Sequence, residues 1–293
     1  MSTSEPPPAR PGRKLGPIAA TVGTLHRAWL EPTRERYLAS GQTLSDLSFH
    51  VLLAKSKLSE LLRGVGHYPR WEVIHRLAVV LDLPGWPLYR LWRQAALDAG
   101  KSRDWVDRST EGSTAVATTH PGPPLEHGAL RLTVREGYLA YAGAFLTGDA
   151  RDAAVEDAFA ILWLSFDEAL ASPDIRRFSW NLLRATVKAR ADYRDERPVL
   201  GEAAFDTVAL REESSAEGQA AQLAESLELF AAISRLPDTQ LDVMVLRHMC
   251  GYPPQKVSDL LGVSLATVRS AERHACRFLA DTLEPPATEG PTP

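Results

Sequence analysis

Arg269, Arg273 and Arg277 follow one another at four-residue spacing near the C-terminal end of this 293-residue chain, with Thr267, Ser270 and His274 set among them. On a helix that spacing brings the guanidinium groups to one face. Each guanidinium is a planar fork of fixed donors that fits the O6 and N7 acceptors of guanine or the oxygens of a phosphate. The chemistry implied is recognition of a nucleic acid; a merely solvated cationic face is the alternative.

Catalytic chemistry finds little support elsewhere. There is no phosphate-cradling glycine loop, no HExxH, no GxSxG and no nucleophile with an evident base. The eight histidines are scattered, and Cys250 and Cys276 form no CxxC, so no metal site and no cofactor are expected. Both thiols are expected to be packing residues. Glu156 and Asp157 could suggest a metal pair, but adjacent helical side chains point roughly 100° apart. The chain is read as a binding protein, not an enzyme.

An arginine row reads DNA only if a scaffold aims it. Val257, Leu260 and Leu261 predict a short amphipathic helix over Pro254–Leu261, which Gly262 ends in a left-handed conformation. Ser264 caps the next helix by accepting from the Thr267 amide, and Val268, Ala271, Ala275, Phe278 and Leu279 form its apolar stripe. Two helices joined by so tight a turn are a helix-turn-helix, whose second helix enters the major groove.

The Leu236-Pro237 opening, the apolar Val243, Val245 and Leu246, the Val257–Leu261 helix, Gly262 and the Thr267-Val268-Arg269-Ser270 string together resemble region 4 of the sigma-70 family, in its extracytoplasmic-function branch. The resemblance implies recognition of the minus-thirty-five promoter element by Thr267, Arg269, Ser270, Arg273, His274 and Arg277. Ala271, His274 and Cys276 depart from the family, which carries further arginines there.

Upstream, Val155, Ala158, Phe159 and Leu162 give Arg151–Ser165 a helical apolar face, with Asp152, Glu156 and Asp157 on the remaining surface. With Trp163, this stretch is similar to the polymerase-binding helix of sigma region 2, so the resemblance assigns those three acids to core RNA polymerase. Ala153 and Glu156 depart from its pattern. A helix from about Arg176 to Arg194 follows, with Trp180, Leu183 and Val187 inward and Arg177, Arg184, Lys188 and Arg190 around the other side. By resemblance, Arg177, Arg184 and Lys188 meet the opened minus-ten element; a solvated face is the alternative. Spacing makes Trp180 a core residue, with base stacking the alternative.

A second helix-turn-helix is legible near the N-terminus. Thr43 and Asp46 form a capping box for a helix over Leu44–Val51, and Leu58, Leu61 and Leu62 point the next one inward. Lys55, Ser56, Ser59 and Arg63 are left outward. With Pro69-Arg70-Trp71 and Ile74, Leu77 and Leu81 behind, this segment resembles the Xre, phage-repressor-like family and implies DNA binding by those four residues, with a protein-binding or autoinhibitory use as the alternative. Ala54 stands where a Ser cap is expected, and the turn lacks glycine.

The expected fold is all-α: three small helical domains joined by flexible linkers. A disordered tail covers 1–17, the Xre-like domain 18–108, a linker 109–128, the region 2-like bundle 129–197, an acidic linker 198–224, the region 4-like domain 225–284 and a second tail 285–293. Hydrophobic content of 44%, 24% charged residues and a net charge of −4 suit a helical protein that is no generic polyanion binder. No leader and no membrane-spanning run is found, which places the chain in the cytoplasm, without a membrane partner. The partners expected are double-stranded promoter DNA, core RNA polymerase and a possible anti-sigma protein. The function expected is that of a sigma-type initiation factor; the alternative is a stand-alone regulator on a sigma-like scaffold that does not recruit polymerase.

Overall fold

The computed structural model describes residues 15–111, 122–201 and 226–283. Nearly all of both expected tails, half of the 109–128 linker and most of the 198–224 linker lie outside these residues. The described residues are predominantly helical, as expected for an all-α chain, and their only strands are the two-residue antiparallel pair Tyr193–Arg194 and Arg197–Pro198. The chain divides into two compact units, 1–122 and 123–293.

The first unit contains α1 (Thr24–Ala39), α2 (Leu44–Val51), α3 (Lys55–Leu61), α4 (Trp71–Val80), α5 (Gly85–Asp98) and α6 (Arg103–Thr110). Thr43 and Asp46 exchange both bonds of the capping box at the start of α2. The turn into α3 has no glycine, so Leu52 itself takes the left-handed conformation at φ 56°. Its core is aromatic: Trp92 stacks 6.0 Å from Trp105 and lies 5.4 Å from Trp71. Tyr68 ties this cluster together, its hydroxyl accepting from Trp29 Nε1 at 3.0 Å and donating to the Trp92 carbonyl at 2.8 Å. The N-terminus of α4 has no cap of its own, and the Trp71 amide donates instead to Ser109 Oγ at 2.7 Å. Ser109 is thus buried structure rather than the first linker residue.

The second unit contains α7 (Leu125–Gly143), α8 (Gly148–Leu164), α9 (Phe166–Ala171), α10 (Ile175–Lys188), α11 (226–234), α12 (Asp238–Met244), α13 (Pro254–Leu261) and α14 (Leu265–Leu283). A π-helical turn, Val245–Met249, extends α12. The stretches read as two sigma-like domains, 129–197 and 225–284, share one hydrophobic core: Tyr138, Tyr141, Phe159, Trp180, Leu183 and Val187 are continuous with Leu241, Val243, Leu246, Val257, Leu260 and Val268. Close packing is made possible by two glycines. A Cβ on Gly137 of α7 would stand 2.6 Å from the Leu260 side chain, and one on Gly262 would stand 2.3 Å from the Arg177 backbone nitrogen.

Three expectations for this unit are corrected. The helix read as running from about 176 to 194 ends at Lys188, before a hairpin turn where Asp195 and Glu196 both have positive φ. In α14, Val268, Ala271, Ala275 and Leu279 are buried as expected, but Phe278 turns to solvent. Cys276 is exposed on the same helix, and only Cys250 is partly covered, its thiol pushed up to about 11 by burial.

Candidate nucleic-acid interface

The second helix-turn-helix is set by three local devices. Gly262 closes α13 in the left-handed conformation at φ 61°. Across the turn, Ser258 Oγ donates to the Val263 carbonyl at 2.6 Å. Ser264 Oγ then accepts from the Thr267 amide at 3.1 Å and bonds the Thr267 hydroxyl at 2.8 Å, capping α14. With Val268, Ala271 and Ala275 turned inward, the opposite face of α14 is fixed outward.

That face carries the arginine row. Thr267, Arg269, Arg273, His274 and Arg277 are exposed, and Ser270 is half-buried. Among the described residues, no carboxylate pairs with any of the three arginines. The nearest acid in sequence, Glu272, is turned aside: its Oε1 accepts from Arg247 Nε at 3.1 Å and contacts His248 Nε2 at 3.1 Å. Arg247 also donates through Nη1 to the Tyr252 carbonyl at 2.7 Å, bracing the loop between the π turn and α13. The result is an uncompensated cationic helix face of the type that meets phosphates and guanine edges.

Of the three α10 cations assigned to opened DNA, Arg184 and Lys188 are engaged by carboxylates of the chain itself. Arg177 is exposed, beside Gly262. Arg184 Nη1 donates to Asp242 Oδ2 at 2.9 Å, and Lys188 Nζ donates to Asp238 Oδ1 at 2.5 Å. Asp242 is an almost fully buried carboxylate that also accepts from Tyr141 Oη at 2.7 Å and from Trp180 Nε1 at 2.8 Å. Trp180 is core, and its indole N–H finds its partner in Asp242. Burial raises Asp242 above the ordinary carboxylate range against the pull of Arg184 and its hydrogen bonds, and pushes Tyr141 far above the usual phenol value. Arg176 and Asp259 add a wider pair at 3.5 Å.

The three acids assigned to polymerase are separated by the structure. Asp152 is exposed, its Oδ1 accepting from Arg151 Nε at 2.8 Å, a hydrogen bond that holds the carboxyl below the usual range. Glu156 is half-buried and clasped by Arg131 at 2.7 Å and Arg135 at 3.4 Å. Asp157 is fully buried and paired with Arg190, so it is a structural group with no surface to offer. One step along a helix turns the side chain by roughly 100°, which carries Asp157 inward from Glu156.

In the first unit, Lys55 and Ser56 are exposed at the start of α3, with Lys55 Nζ donating to Ser45 Oγ at 3.0 Å. Ser59 and Arg63 are half-buried, and Arg63 Nε donates to the Ser59 carbonyl at 3.2 Å. Phe49 and Leu52, at the end of α2 and its cap, are exposed.

Sequence reasoning missed Asp238, Asp242, Arg247 and Glu272. Asp242 had one signal, an acid interrupting the apolar run Leu241 to Leu246, because a charge there must be paired or be excluded from the core. No group of His, Cys, Asp and Glu that could hold a metal occurs among the described residues, and no described helix is long and apolar enough to cross a membrane.

Residues 226–279 match the family model described as Sigma-70, region 4. No curated protein and no solved structure matches the chain. The match spans α11 to the arginine row of α14, so the cationic face lies within the segment that is similar to region 4 of the sigma-70 family.

Proposed function

We propose that this protein is a sigma-type transcription initiation factor whose α14 reads duplex promoter DNA. The observation that carries the reading is the exposed row of Arg269, Arg273 and Arg277, which no carboxylate pairs among the described residues, on a capped helix of the segment similar to region 4. Thr267, Ser270 and His274 lie within the same reading surface. In sigma-70 proteins of the extracytoplasmic-function branch, which this chain resembles, such a helix works beside a region 2 that binds core RNA polymerase and opened DNA. Here α7 to α10 are read as that region, with Asp152 and the half-buried Glu156 as the acids facing polymerase and Arg177, Arg184 and Lys188 facing DNA. The first unit is read as an Xre-like domain that adds a DNA contact through Lys55 and Ser56 or regulates the rest, and an anti-sigma partner fits the same family resemblance.

Run-off transcription with core RNA polymerase on genomic fragments tests this reading. Discrete transcripts that depend on the protein and vanish with Arg273→Ala are expected; absence of any association with core enzyme contradicts it. A second reading, a duplex-binding regulator without polymerase recruitment, is favoured by one observation: Arg184 and Lys188 are already neutralised by the chain's own carboxylates. Retained duplex binding with no core association is the outcome that reading requires.

A further inference from the structure

The hairpin that follows α10 sets two like charges against each other. Its register places Arg194 directly opposite Arg197, and residues so paired project from the same face of an antiparallel ladder, where like charges repel. Among the described residues, no carboxylate forms an ion pair with either guanidinium. The hairpin is nevertheless held in place: the Val199 amide donates to the Asp192 carbonyl at 2.8 Å, and the Gly201 amide donates to the Ala144 carbonyl at 2.8 Å, beside the end of α7. Both arginines line a cleft of about 790 Å³ between the hairpin, the α7–α8 connection and α11, and Arg235 lines it from the end of α11. Arg190 reaches the same cleft but is committed to Asp157 and to the Thr186 carbonyl. Asp192 and Asp195 are the acids of the lining, so the three arginines without an ion pair outnumber the carboxylates there. The rest of the wall is largely apolar. Phe145, Leu200 and Phe230 are buried against it, and the exposed Leu227 and Val199 border it. A volume within about 300–1,000 Å³, apolar walls and a few convergent charged groups are the features of a small-molecule site.

We infer that this cleft binds a small anionic amphiphile, a carboxylate or a phosphate monoester carried on an apolar body. The head lies between Arg194 and Arg197, whose planar forks match the paired oxygens of either group and whose mutual repulsion it relieves. Arg235 supplies a further cation at the α11 side. The apolar body covers Phe145, Leu200 and Phe230, so its burial adds to the affinity that the head alone provides. Such a ligand touches the hairpin and α11 at once, and α11 opens the segment that is similar to region 4. Because it binds only the folded unit, it also raises that unit's melting temperature. The site stands apart from the arginine row of α14, and its existence does not depend on the transcriptional reading.

Isothermal titration calorimetry of the full chain tests the inference, with decanoate and decyl phosphate as probes, each below its micelle-forming concentration. The pair tells a carboxylate head from a phosphate head, while decanol and acetate present the tail and the head alone. One-to-one binding of at least one amphiphile is expected, about tenfold or more tighter than either fragment. Two variants then locate it. Arg194→Gln with Arg197→Gln removes the head contact and the repulsion together, so the hairpin is not weakened, and affinity is expected to fall about tenfold or more, as for lost charge-assisted hydrogen bonds. Ala231→Trp, at an exposed position of the lining, fills the cleft without entering the core and is expected to abolish binding. Thermal unfolding of both free variants is expected to match the wild type, which separates a lost site from a lost fold. Absence of one-to-one binding by both amphiphiles overturns the inference, as does binding that both variants leave unchanged. Binding that emerges only when residues 202–225 are exchanged for a Gly-Ser stretch of equal length also overturns it, because the cleft then takes the chain's own segment rather than a ligand.

Discussion

Tyr141 donates its hydroxyl proton to Asp242 Oδ1 at 2.7 Å across 101 residues of sequence. The carboxylate it meets is buried and shared with Trp180 and Arg184, so α7, α10 and α12 are fastened at one point. Removing that point takes the acceptor from the Tyr141 hydroxyl, the Trp180 indole N–H and Nη1 of Arg184, which keeps only Asn181 and the wider pair with Asp238. Asp242→Ala is expected to destabilise the second unit by about 3–5 kcal/mol, the usual cost of breaking a buried pair from one side. Chemical denaturation of the full chain, followed by exchange protection in α10, measures it.

The pairing of Asp238 with Lys188 gives the same contact a pH dependence. The Lys188 hydrogen bond and charge hold Asp238 below its ordinary value of 3.8, against a smaller effect of burial. A carboxylate depressed on folding adds stability that is present above the unfolded value and disappears as pH falls through the folded one. Acidification below pH 3.8 is therefore expected to weaken the α10–α12 contact, and Asp238→Asn to remove that part of the acid dependence. Exchange protection of α10 as a function of pH is the readout.

His26 makes a different prediction for the first unit. Burial, helped by the Arg27 charge, lowers His26 from 6.5 to about 4, and its Nε2 is enclosed without a hydrogen-bond partner. The ring stacks 5.0 Å from Trp29. Between these pH values the unfolded chain takes up a proton that the folded one refuses, so stability falls as pH drops from 6.5 toward 4. His26→Phe is expected to flatten that slope in melts of the full chain recorded across the window.

Gly262 carries two constraints at once. Its φ of 61° lies in the left-handed region that favours glycine, and a Cβ would strike the Arg177 backbone as well as Asp174 Oδ1. Gly262→Ala is expected to cost on the order of 2–4 kcal/mol, combining left-handed strain with overpacking against a backbone that cannot give. Thermal unfolding compares it with Ser264→Ala, for which removal of a helix cap costs about 1 kcal/mol.

Legibility in the sequence follows the range of the interactions. The Thr43–Asp46 box, the Gly262 stop and the Ser264 cap are satisfied within three residues of sequence, and each stands where residue type and spacing predict it. Helices α2 and α13 keep their predicted bounds for the same reason. Asp157 defeats such a reading because its partner Arg190 is 33 residues away, and helical periodicity alone cannot tell an acid on the edge of a face from one turned under it. The joining of 129–197 to 225–284 is illegible for a related reason. It depends on Asp242 finding Tyr141, Trp180 and Arg184, and on Gly137 and Gly262 permitting close approach, and none of these has a sequence period.

If the exposed arginine row of α14 binds duplex DNA, as the account centrally holds, the salt dependence of that binding is its most direct test. Affinity of the full chain for promoter-bearing duplexes is measured against salt concentration for the wild type and for Arg269→Ala with Arg273→Ala and Arg277→Ala. For every phosphate that the variant no longer neutralises, the steepness of the log–log plot should fall by about 0.9, and for every guanine edge no longer read, discrimination should fall by about 1–3 kcal/mol. A shallower slope and an affinity reduced at least about tenfold are expected. Unchanged slope and affinity in the triple variant would contradict the account.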